Sequence, residues 1–359
     1  MAETRPSWKR SSKPKQAKKS ASIKPAKPRD ERSDEDGHVV PLEPQQDCLD
    51  IFHDALRPDP GDAAVLQEVK GHLYNRDFAA AFGQLEHLRV YASRWSASRG
   101  LGYLQLLQEV SNHVLYEGPN TPTESRPRPL EVVCLGGGAG AEVVALAGWL
   151  STVPALDRSP LHVRLVDVAA WGAVVESLHE RCVTARTLSK YASAAAREAN
   201  EPMVAAQDFS CSFHQQDVLD WPDDALQSIV TPTTKLAMLF FTLNELYSTS
   251  VSRTQHLLSR LTVAMPPGSF LLVVDSPGSY STVTLNGADK KYPMQWLLDH
   301  TMLKPPREAG IGVAAKWEKV VSNQSIWYRL PQGLQYPIEL ENMRYQMHLY
   351  RRLAGIANQ

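Results

Sequence analysis

Residues 131–144 read E-V-V-C-L-G-G-G-A-G-A-E-V-V, which joins a short apolar run to four glycines and then to an alanine-rich segment. This order predicts a β-strand, a tight turn and the start of a helix. Glycine lets the backbone turn sharply and approach a ligand closely, and a helix N-terminus offers unpaired N–H groups to that ligand. The stretch therefore predicts the nucleotide-binding unit of an α/β fold.

The spacing of the glycines fits two cofactor classes. Gly136, Gly138 and Ala141 satisfy the G-x-G-x-x-G/A pattern of dinucleotide-binding domains. Gly136, Gly138 and Gly140 equally satisfy the G-x-G-x-G pattern of methyltransferases that use S-adenosylmethionine (SAM). The glycine loop alone leaves the choice between these cofactors open.

Two acidic residues at the ends of predicted strands favour SAM. Residues 161–167 predict a second strand that ends in Asp167, and a carboxylate there can accept both ribose hydroxyls of either cofactor. Residues 212–218 predict a third strand with Asp217 at its end, the position at which methyltransferases bind the adenine amino group. A second acid of this kind is typical of SAM enzymes.

The end of the chain also favours SAM. Residues 236–241 form a continuous apolar run that is typical of a buried parallel strand, and residues 270–275 predict a fifth strand. Residues 317–328 and 343–349 then predict two strands with no helix between them. This ending fits the methyltransferase sheet, whose last strand is antiparallel, whereas a dinucleotide-binding domain would continue with another strand and helix.

We therefore predict an α/β fold with a Rossmann-like class I methyltransferase sheet, an N-terminal helical subdomain and a disordered basic tail. The predicted SAM-binding residues are Leu135, Gly136, Gly137, Gly138, Gly140, Asp167, Asp217 and Val218. The predicted boundaries are a tail at 1–46, a helical subdomain at 47–118, a linker at 119–129 and the methyltransferase domain at 130–353.

The net charge of −1 conceals a basic N-terminus, because residues 1–29 carry a net charge of +9. The tail has almost no core-forming residues, and this composition predicts disorder. The run K-P-K-Q-A-K-K at 13–19 resembles a nuclear or nucleolar import signal or an RNA-contacting arm. A solvated linker is the alternative interpretation of the same run.

A second candidate RNA contact lies in the helical subdomain. In residues 91–103 three aromatic residues alternate with arginines, among them Arg94, Trp95 and Arg99. Guanidinium groups can hold phosphates and aromatic faces can stack on bases, so we predict that these three residues bind substrate RNA. The alternative is a corner between helices, with a core tryptophan and solvated arginines.

The segment after the fourth predicted strand carries the candidate catalytic residues. Enzymes that methylate nitrogen place Asn or Asp, two prolines and an aromatic residue there. Asn244 and Tyr247 match the outer positions, whereas Glu245 and Leu246 replace the prolines. We predict that Asn244 orients the target nitrogen, Glu245 is the general base and Tyr247 stacks on an unstacked base. The alternative is a plain helix start, with Asn244 as its cap and Tyr247 packed inside.

The composition argues against three further classes of protein: zinc-binding, disulfide-stabilised and membrane-spanning proteins. The four cysteines are far apart, with no C-x-x-C pair and no histidine at ligand spacing, so neither a zinc site nor a disulfide framework is predicted. No apolar run reaches membrane-spanning length, and the N-terminus has no signal-peptide core. We expect a soluble, intracellular, monomeric protein without a metal ion.

Four ordered segments together resemble the fungal 25S rRNA (uridine-N3)-methyltransferase family. They are Y-x-x-R-W-x-x-x-R at 91–99, C-L-G-G-G-A-G at 134–140, F-T-L-N-E-L-Y at 241–247 and D-S-P-G-S-Y at 275–280. The resemblance covers roughly residues 48–353 and implies methylation of one uridine of large-subunit rRNA in the pre-60S particle, in the nucleus or nucleolus, with the cytoplasm as an alternative. Cys134 stands where methyltransferases commonly carry an acid, so the partner of the methionyl ammonium group is left open.

Two other functions share part of this pattern. A SAM methyltransferase of a protein or a small molecule would have the same cofactor residues. A non-catalytic rRNA-binding assembly factor would keep the fold, but a decayed cofactor site would tolerate substitution of the glycines, Asp167 and Asp217. Their presence favours an enzyme.

Overall fold

The computed structural model describes residues 40–116, 129–154, 157–285, 288–304 and 316–354. The predicted basic run at 13–19 lies outside the described residues, as do residues 119–128 of the predicted linker. The first described helix begins at Leu42, inside the predicted tail at 1–46. The last residues of the predicted tail are therefore helical.

Twelve α-helices and nine β-strands form in the described part of the chain. The helices are α1 (Leu42–Leu56), α2 (Ala63–Tyr74), α3 (Phe78–Ala81), α4 (Leu85–Tyr91), α5 (Ala97–Tyr116), α6 (Ala141–Thr152), α7 (Gly172–Val183), α8 (Ala194–Glu198), α9 (Asp223–Ile229), α10 (Leu243–Thr249), α11 (Val251–Ala264) and α12 (Met294–Met302). The strands are β1 (Leu130–Leu135), β2 (Leu161–Asp167), β3 (Phe209–Gln215), β4 (Thr234–Phe240), β5 (Phe270–Asp275), β6 (Tyr280–Leu285), β7 (Ala288–Pro293), β8 (Trp317–Tyr328) and β9 (Met343–Arg352).

Seven strands form one sheet in the order β3-β2-β1-β4-β5-β9-β8. The first five strands are parallel, and β9 inserts antiparallel between β5 and β8. The predicted helix-free pair of C-terminal strands is thereby confirmed, as is the Rossmann-like class I methyltransferase sheet. A separate hairpin of β6 and β7 follows β5.

Helices cover both faces of the sheet, and each face has its own hydrophobic core. Helices α1, α5, α6 and α7 cover one face, whereas α10, α11 and α12 cover the other. The predicted helical subdomain belongs to the first layer, because α1 and α5 pack directly against α6. Gly148 permits this contact, since a Cβ atom there would lie 2.7 Å from the Cys48 Sγ.

The parallel strands all end at one edge of the sheet, where open α/β folds bind their ligands. The glycine loop follows β1 at this edge, Asp167 ends β2, and Asp275 ends β5. No helix in the described ranges is both long and apolar enough to cross a membrane. The four cysteines are free thiols, as the sequence predicts.

Candidate active site

A cavity of about 530 Å³ opens at the carboxyl edge of the parallel strands, a volume that suits a small-molecule ligand. One wall comes from the α2–α5 region and the other from the strand ends and α10. Of the residues predicted from sequence, the cavity is lined by Gly136, Asp167, Asp217, Val218, Asn244, Glu245 and Arg99.

The glycine loop takes a conformation that other residues would not allow. Gly136 has φ +85°, and a Cβ atom there would lie 2.2 Å from the Thr242 Oγ1. A Cβ atom at Gly138 would lie 2.1 Å from Trp171 Cδ1. Gly136 lines the cavity. The other predicted loop residues do not line it; they are Leu135, Gly137, Gly138 and Gly140.

Asp167 connects the glycine loop to the cavity. One carboxylate oxygen accepts a hydrogen bond from the Gly138 N–H at 3.1 Å, and the other accepts one from the Ala169 N–H at 3.0 Å. Burial raises the pKa of Asp167, and these backbone donors oppose that effect. The carboxylate is therefore held in a fixed orientation at the end of β2.

Asp217 and Val218 form the cavity wall beyond β3. The Asp217 carboxylate accepts a hydrogen bond from the Leu219 N–H at 2.8 Å and lies 4.0 Å from the Arg253 guanidinium. Val218 is buried beside it. An acid next to an apolar side chain suits a ligand with a flat apolar ring and an amino group.

Glu142 is a cavity residue that sequence analysis missed. It follows the glycine loop in the first turn of α6, and only 4% of it is exposed. A Cβ atom at Gly137 would lie 3.0 Å from the Cys134 Cβ and 3.3 Å from the Glu142 carboxyl carbon. Glu142 therefore places a carboxyl group where Cys134 does not, and burial raises its pKa to about 7.

Arg99 lies inside the cavity wall. Its guanidinium donates a hydrogen bond to the Tyr91 hydroxyl at 2.8 Å and lies 5.4 Å from the centre of the Phe241 ring. Phe241 has φ +52°, a backbone conformation that bulky residues rarely adopt. Strain of this kind concentrates at functional sites, and Phe241 lines the cavity beside Arg99.

The structure corrects the RNA-binding interpretation of Arg94 and Trp95. Both lie in a π-helical turn, Ala92–Ser96, between α4 and α5. The Arg94 guanidinium pairs with Glu341 and donates to the Glu339 carbonyl at 3.0 Å, so it fastens a surface loop. Trp95 packs beside Tyr91, with ring centres 4.8 Å apart, and does not line the cavity.

Asn244 lies in the first turn of α10 and lines the cavity. Its backbone N–H donates to an Asp275 carboxylate oxygen at 2.9 Å. Its side-chain Oδ1 is buried and has no hydrogen-bond partner among the described residues. A buried acceptor without a donor is costly, and a ligand that brings an N–H group would satisfy it.

Glu245 lies at the rim of the cavity, where its carboxylate forms an ion pair with Arg76 from the turn between α2 and α3. Its side chain is 41% exposed. The ion pair therefore connects α10 to the opposite wall of the cavity and keeps the carboxylate at the opening.

The structure also corrects the stacking role predicted for Tyr247. The ring is only 2% exposed, belongs to the hydrophobic core that includes Leu257 and Leu298, and does not line the cavity. Asn244 and Tyr247 are three residues apart on one short helix. Only the residue near the helix start faces the cavity, so the alternative of a packed helix residue holds for Tyr247.

Asp275 is the second acid that sequence analysis did not assign to the site. It is 3% exposed, lines the cavity, and accepts hydrogen bonds from the backbone N–H groups of Asn244 and Ser276, the latter at 2.7 Å. Burial raises its pKa to about 6. Its motif at 275–280 supported the family resemblance, but the sequence does not show that the side chain turns inward.

In the described ranges, no three His, Cys, Asp or Glu side chains are grouped so that they could hold a metal ion. The cavity instead offers carboxylates, one guanidinium and a glycine loop. With the inserted antiparallel strand, this combination defines a class I SAM-dependent methyltransferase.

Comparison with known proteins gives the family. A family model described as "Putative SAM-dependent methyltransferase" matches residues 51–351, and the chain belongs to this family. A curated relative, the 25S rRNA (uridine(2843)-N(3))-methyltransferase of Saccharomyces cerevisiae, is 32% identical over 334 residues, which cover 86% of this chain and 85% of the relative. The resemblance drawn from the four sequence segments is thereby confirmed.

Solved methyltransferase structures are much more distant. A SAM-dependent methyltransferase from Methanosarcina mazei matches with a TM-score of 0.34 and 10% identity over 62% of this chain and 92% of its own. One from Clostridium acetobutylicum matches with a TM-score of 0.33 and 10% identity over 79% and 100%. Likenesses this low carry no argument, and the fold assignment rests on the strand order.

Proposed function

We propose that this protein transfers the methyl group of SAM to N3 of a uridine in large-subunit (25S) ribosomal RNA. The observation that carries the proposal is the 32% identity, over 86% of the chain, to a relative with that named activity. The cavity supports it, because a buried acceptor on Asn244 and a carboxylate on Glu245 lie together at one end. Methylation of an imide nitrogen requires both an acceptor that orients the N–H group and a base that removes its proton.

The described residues fit SAM at both of its ends. Asp217 and Val218 would hold the adenine, and Asp167 would accept the ribose hydroxyls. At the other end Glu142 and Arg99 would hold the methionyl ammonium and carboxylate groups, since each supplies the opposite charge within the cavity. SAM supplies a methyl group already activated by its sulfonium, so the protein chiefly aligns the target nitrogen with it.

The target nitrogen must be exposed and deprotonated. Uridine N3 lies on the Watson–Crick edge, so the base has to be unpaired or flipped out before it enters the cavity. The Asn244 Oδ1 would accept a hydrogen bond from the N3–H and orient the base. Glu245 would then take this proton, which frees the N3 lone pair to attack the methyl group. Both Asp275 oxygens already accept backbone N–H groups, so Asp275 positions Asn244. Glu245, held by one exposed ion pair, is the proposed base.

We expect Glu245→Gln to lower kcat by about 100-fold or more, because general-base catalysis typically contributes that much. The affinity for SAM, measured by calorimetry, should stay unchanged, since Glu245 lies at the opening. Arg76→Gln is the matched control, because it breaks the same ion pair and keeps the carboxylate. A Glu245→Gln enzyme with full turnover at every pH would remove Glu245 from the mechanism.

The affinity for SAM should depend on pH through Glu142. The charged and titratable groups near this carboxyl are Arg99, Asp167, Tyr103 and Cys134. An ammonium group binds the ionised form, so below pH 7 each unit of acidification should weaken binding by about tenfold, with proton release on binding. Calorimetry in two buffers measures both effects.

Glu142→Gln is the test of that assignment. It should lower the affinity for SAM at pH 8 and abolish the pH dependence, because no proton remains to be released. Glu176→Gln, a substitution of the same kind on α7 outside the cavity, is the matched control. An unchanged pH dependence in Glu142→Gln would assign the ammonium group to another residue.

Two other activities remain as alternatives, and one assay separates them. Tritiated methyl transfer to total rRNA supports the proposal, whereas transfer to protein or a small molecule supports the first alternative. Absence of transfer together with rRNA binding would support a non-catalytic assembly factor. The buried Glu142 and the partly buried Asp167, two carboxylates that line the cavity, favour an enzyme.

The proposed cellular setting follows from the substrate. We propose a monomeric, RNA-binding protein that acts in ribosome biogenesis on the pre-60S particle, in the nucleus or nucleolus. Its proposed parts are a basic tail that ends before Leu42, the helices from Leu42 to residue 118, the linker at 119–129 and the catalytic domain at 130–353.

Deleting residues 1–29 from a fluorescent fusion should reduce nuclear enrichment, because the deletion removes a net charge of +9. Fluorescence microscopy measures the nuclear fraction. A variant with the lysines at 13–19 replaced by glutamine is the narrower control. Unchanged enrichment of the deleted form would exclude an import signal.

A further inference from the structure

An exposed tryptophan of β8, Trp327, lies outside the cavity with two arginines close to its ring. The guanidinium carbons of Arg329 and Arg344 lie 5.1 Å and 5.6 Å from the centre of the Trp327 ring. Trp327 is 47% exposed, although a large aromatic side chain normally avoids water. The Arg344 Nε donates a hydrogen bond to the Ser325 Oγ at 3.0 Å, and neither guanidinium has a carboxylate within ion-pair distance among the described residues.

This cluster lies at the same edge of the sheet as the cavity. Asp275, at the end of β5, pairs with Gln346 of β9, and Arg344 of β9 pairs with Trp327 of β8. Neighbouring strands are about 4.8 Å apart, so the β8 backbone lies about 10 Å to the side of β5. The Gln346 side chain also donates to the carbonyl of Ser276, a cavity residue, at 2.8 Å.

A second aromatic series lies on β7 and α12. Tyr292 and Trp296 stack with ring centres 4.7 Å apart and planes 18° apart, and the His300 ring follows at 5.3 Å from Trp296. The spacing of four residues places Trp296 and His300 on one face of α12. Gln295 and Gln324 join α12 to β8 by a side-chain hydrogen bond.

We infer that Trp327, Arg329, Arg344, Tyr292 and Trp296 form an edge surface that binds unpaired RNA beside the target uridine. This inference rests on the proposed function. Bases stack on aromatic rings and on guanidinium planes, and arginines without carboxylate partners attract phosphates. A surface for an apolar protein segment would not need two arginines without carboxylate partners at its tryptophan. We therefore propose this edge surface, and not Arg94 and Trp95, as the RNA contact outside the cavity.

The test compares full-length variants for binding to a labelled fragment of 25S rRNA that contains the target uridine of the yeast relative. Trp327→Ala should raise the Kd by about 5- to 150-fold, the effect of losing one stacked base. Tyr191→Ala is the matched control, because Tyr191 is also exposed and has a cation, the Lys190 Nζ, 4.9 Å from its ring centre. The control should bind RNA as the wild type does.

The double variant Arg329→Gln/Arg344→Gln tests the charges and serves also if Trp327→Ala is unstable. It should reduce the slope of log Kd against log salt by about 1.4, because each phosphate contact on a single strand contributes about 0.7. Wild-type RNA affinity in both stable variants would overturn the inference and leave the proposed function intact. A wild type that neither binds the fragment nor methylates it would overturn the proposed function and the inference together.

Discussion

Gly138→Arg should abolish SAM binding. The smallest possible side chain at this position would already place its Cβ atom 2.1 Å from Trp171 Cδ1 and 2.8 Å from the Asp167 Cβ. Both neighbours line the cavity, so the loop cannot accept the arginine without moving the carboxylate that we propose binds the ribose. Overpacking typically costs about 1–3 kcal/mol and an arginine exceeds that range, so the Kd should rise by more than about 100-fold.

Gly71→Arg is the matched control for this substitution. Gly71 lies on an exposed face of α2, and a Cβ atom there meets nothing within 4 Å. Arginine is a better helix former than glycine, so this variant should keep its SAM affinity and melt at the same temperature or higher. Calorimetry and a thermal melt on both variants separate a lost site from a lost fold. Retained affinity in a folded Gly138→Arg protein would mean that the loop is not the cofactor site.

Asn244→Leu should nearly eliminate methyl transfer while leaving SAM affinity unchanged. Leucine has a similar size, but it removes the buried Oδ1 that would orient the N3–H of the substrate. Loss of one oriented hydrogen-bonding group in an active site typically lowers kcat by about 100- to 1,000-fold. Single-turnover transfer of a tritiated methyl group to rRNA measures this step.

Asn200→Leu controls for the loss of an amide. The Asn200 side chain donates a hydrogen bond to the Arg186 carbonyl at 2.8 Å on the surface. Asn200→Leu therefore removes an amide group away from the cavity and should keep its turnover. The backbone contact from residue 244 to Asp275 survives in Asn244→Leu, which preserves the start of α10. Turnover within a factor of three of the wild type would show that Asn244 does not orient the substrate.

Much of the fold could be predicted from the sequence, because parallel strands buried on both faces are continuous apolar runs. Residues 161–167 and 270–275 were predicted with the bounds that β2 and β5 have. The hairpin of β6 and β7 was not predicted, since residues 280–285 and 288–293 contain no continuous apolar run.

The predictions for individual site residues were less accurate, and the reason is physical. A spacing of three residues does not show which side of a helix faces the cavity, so Asn244 and Tyr247 were grouped although only Asn244 faces it. Glu142 was missed because an acid in the first turn of a helix usually interacts with the helix dipole on the surface. Its burial depends on α5, which follows from tertiary packing alone.

Arg99 is a second case in which the sequence does not show which way a side chain faces. Its alternation with aromatic residues predicted an RNA contact, yet the chain places it against Phe241 inside the cavity. Arg94, five residues earlier, turns toward Glu341 through the π-helical turn. The exposed arginines of the proposed RNA surface are Arg344, which lies on β9 opposite Trp327, and Arg329, which directly follows β8.

The most direct test of the proposed activity is nucleoside mass spectrometry of 25S rRNA from a Saccharomyces cerevisiae strain that lacks the 32% identical relative and expresses this protein. If the proposed activity is correct, the wild-type protein restores 3-methyluridine in the rRNA fragment that contains the relative's target uridine, whereas the Gly138→Arg variant does not. An rRNA without 3-methyluridine at that uridine, in cells that contain the folded wild-type protein, would contradict the account.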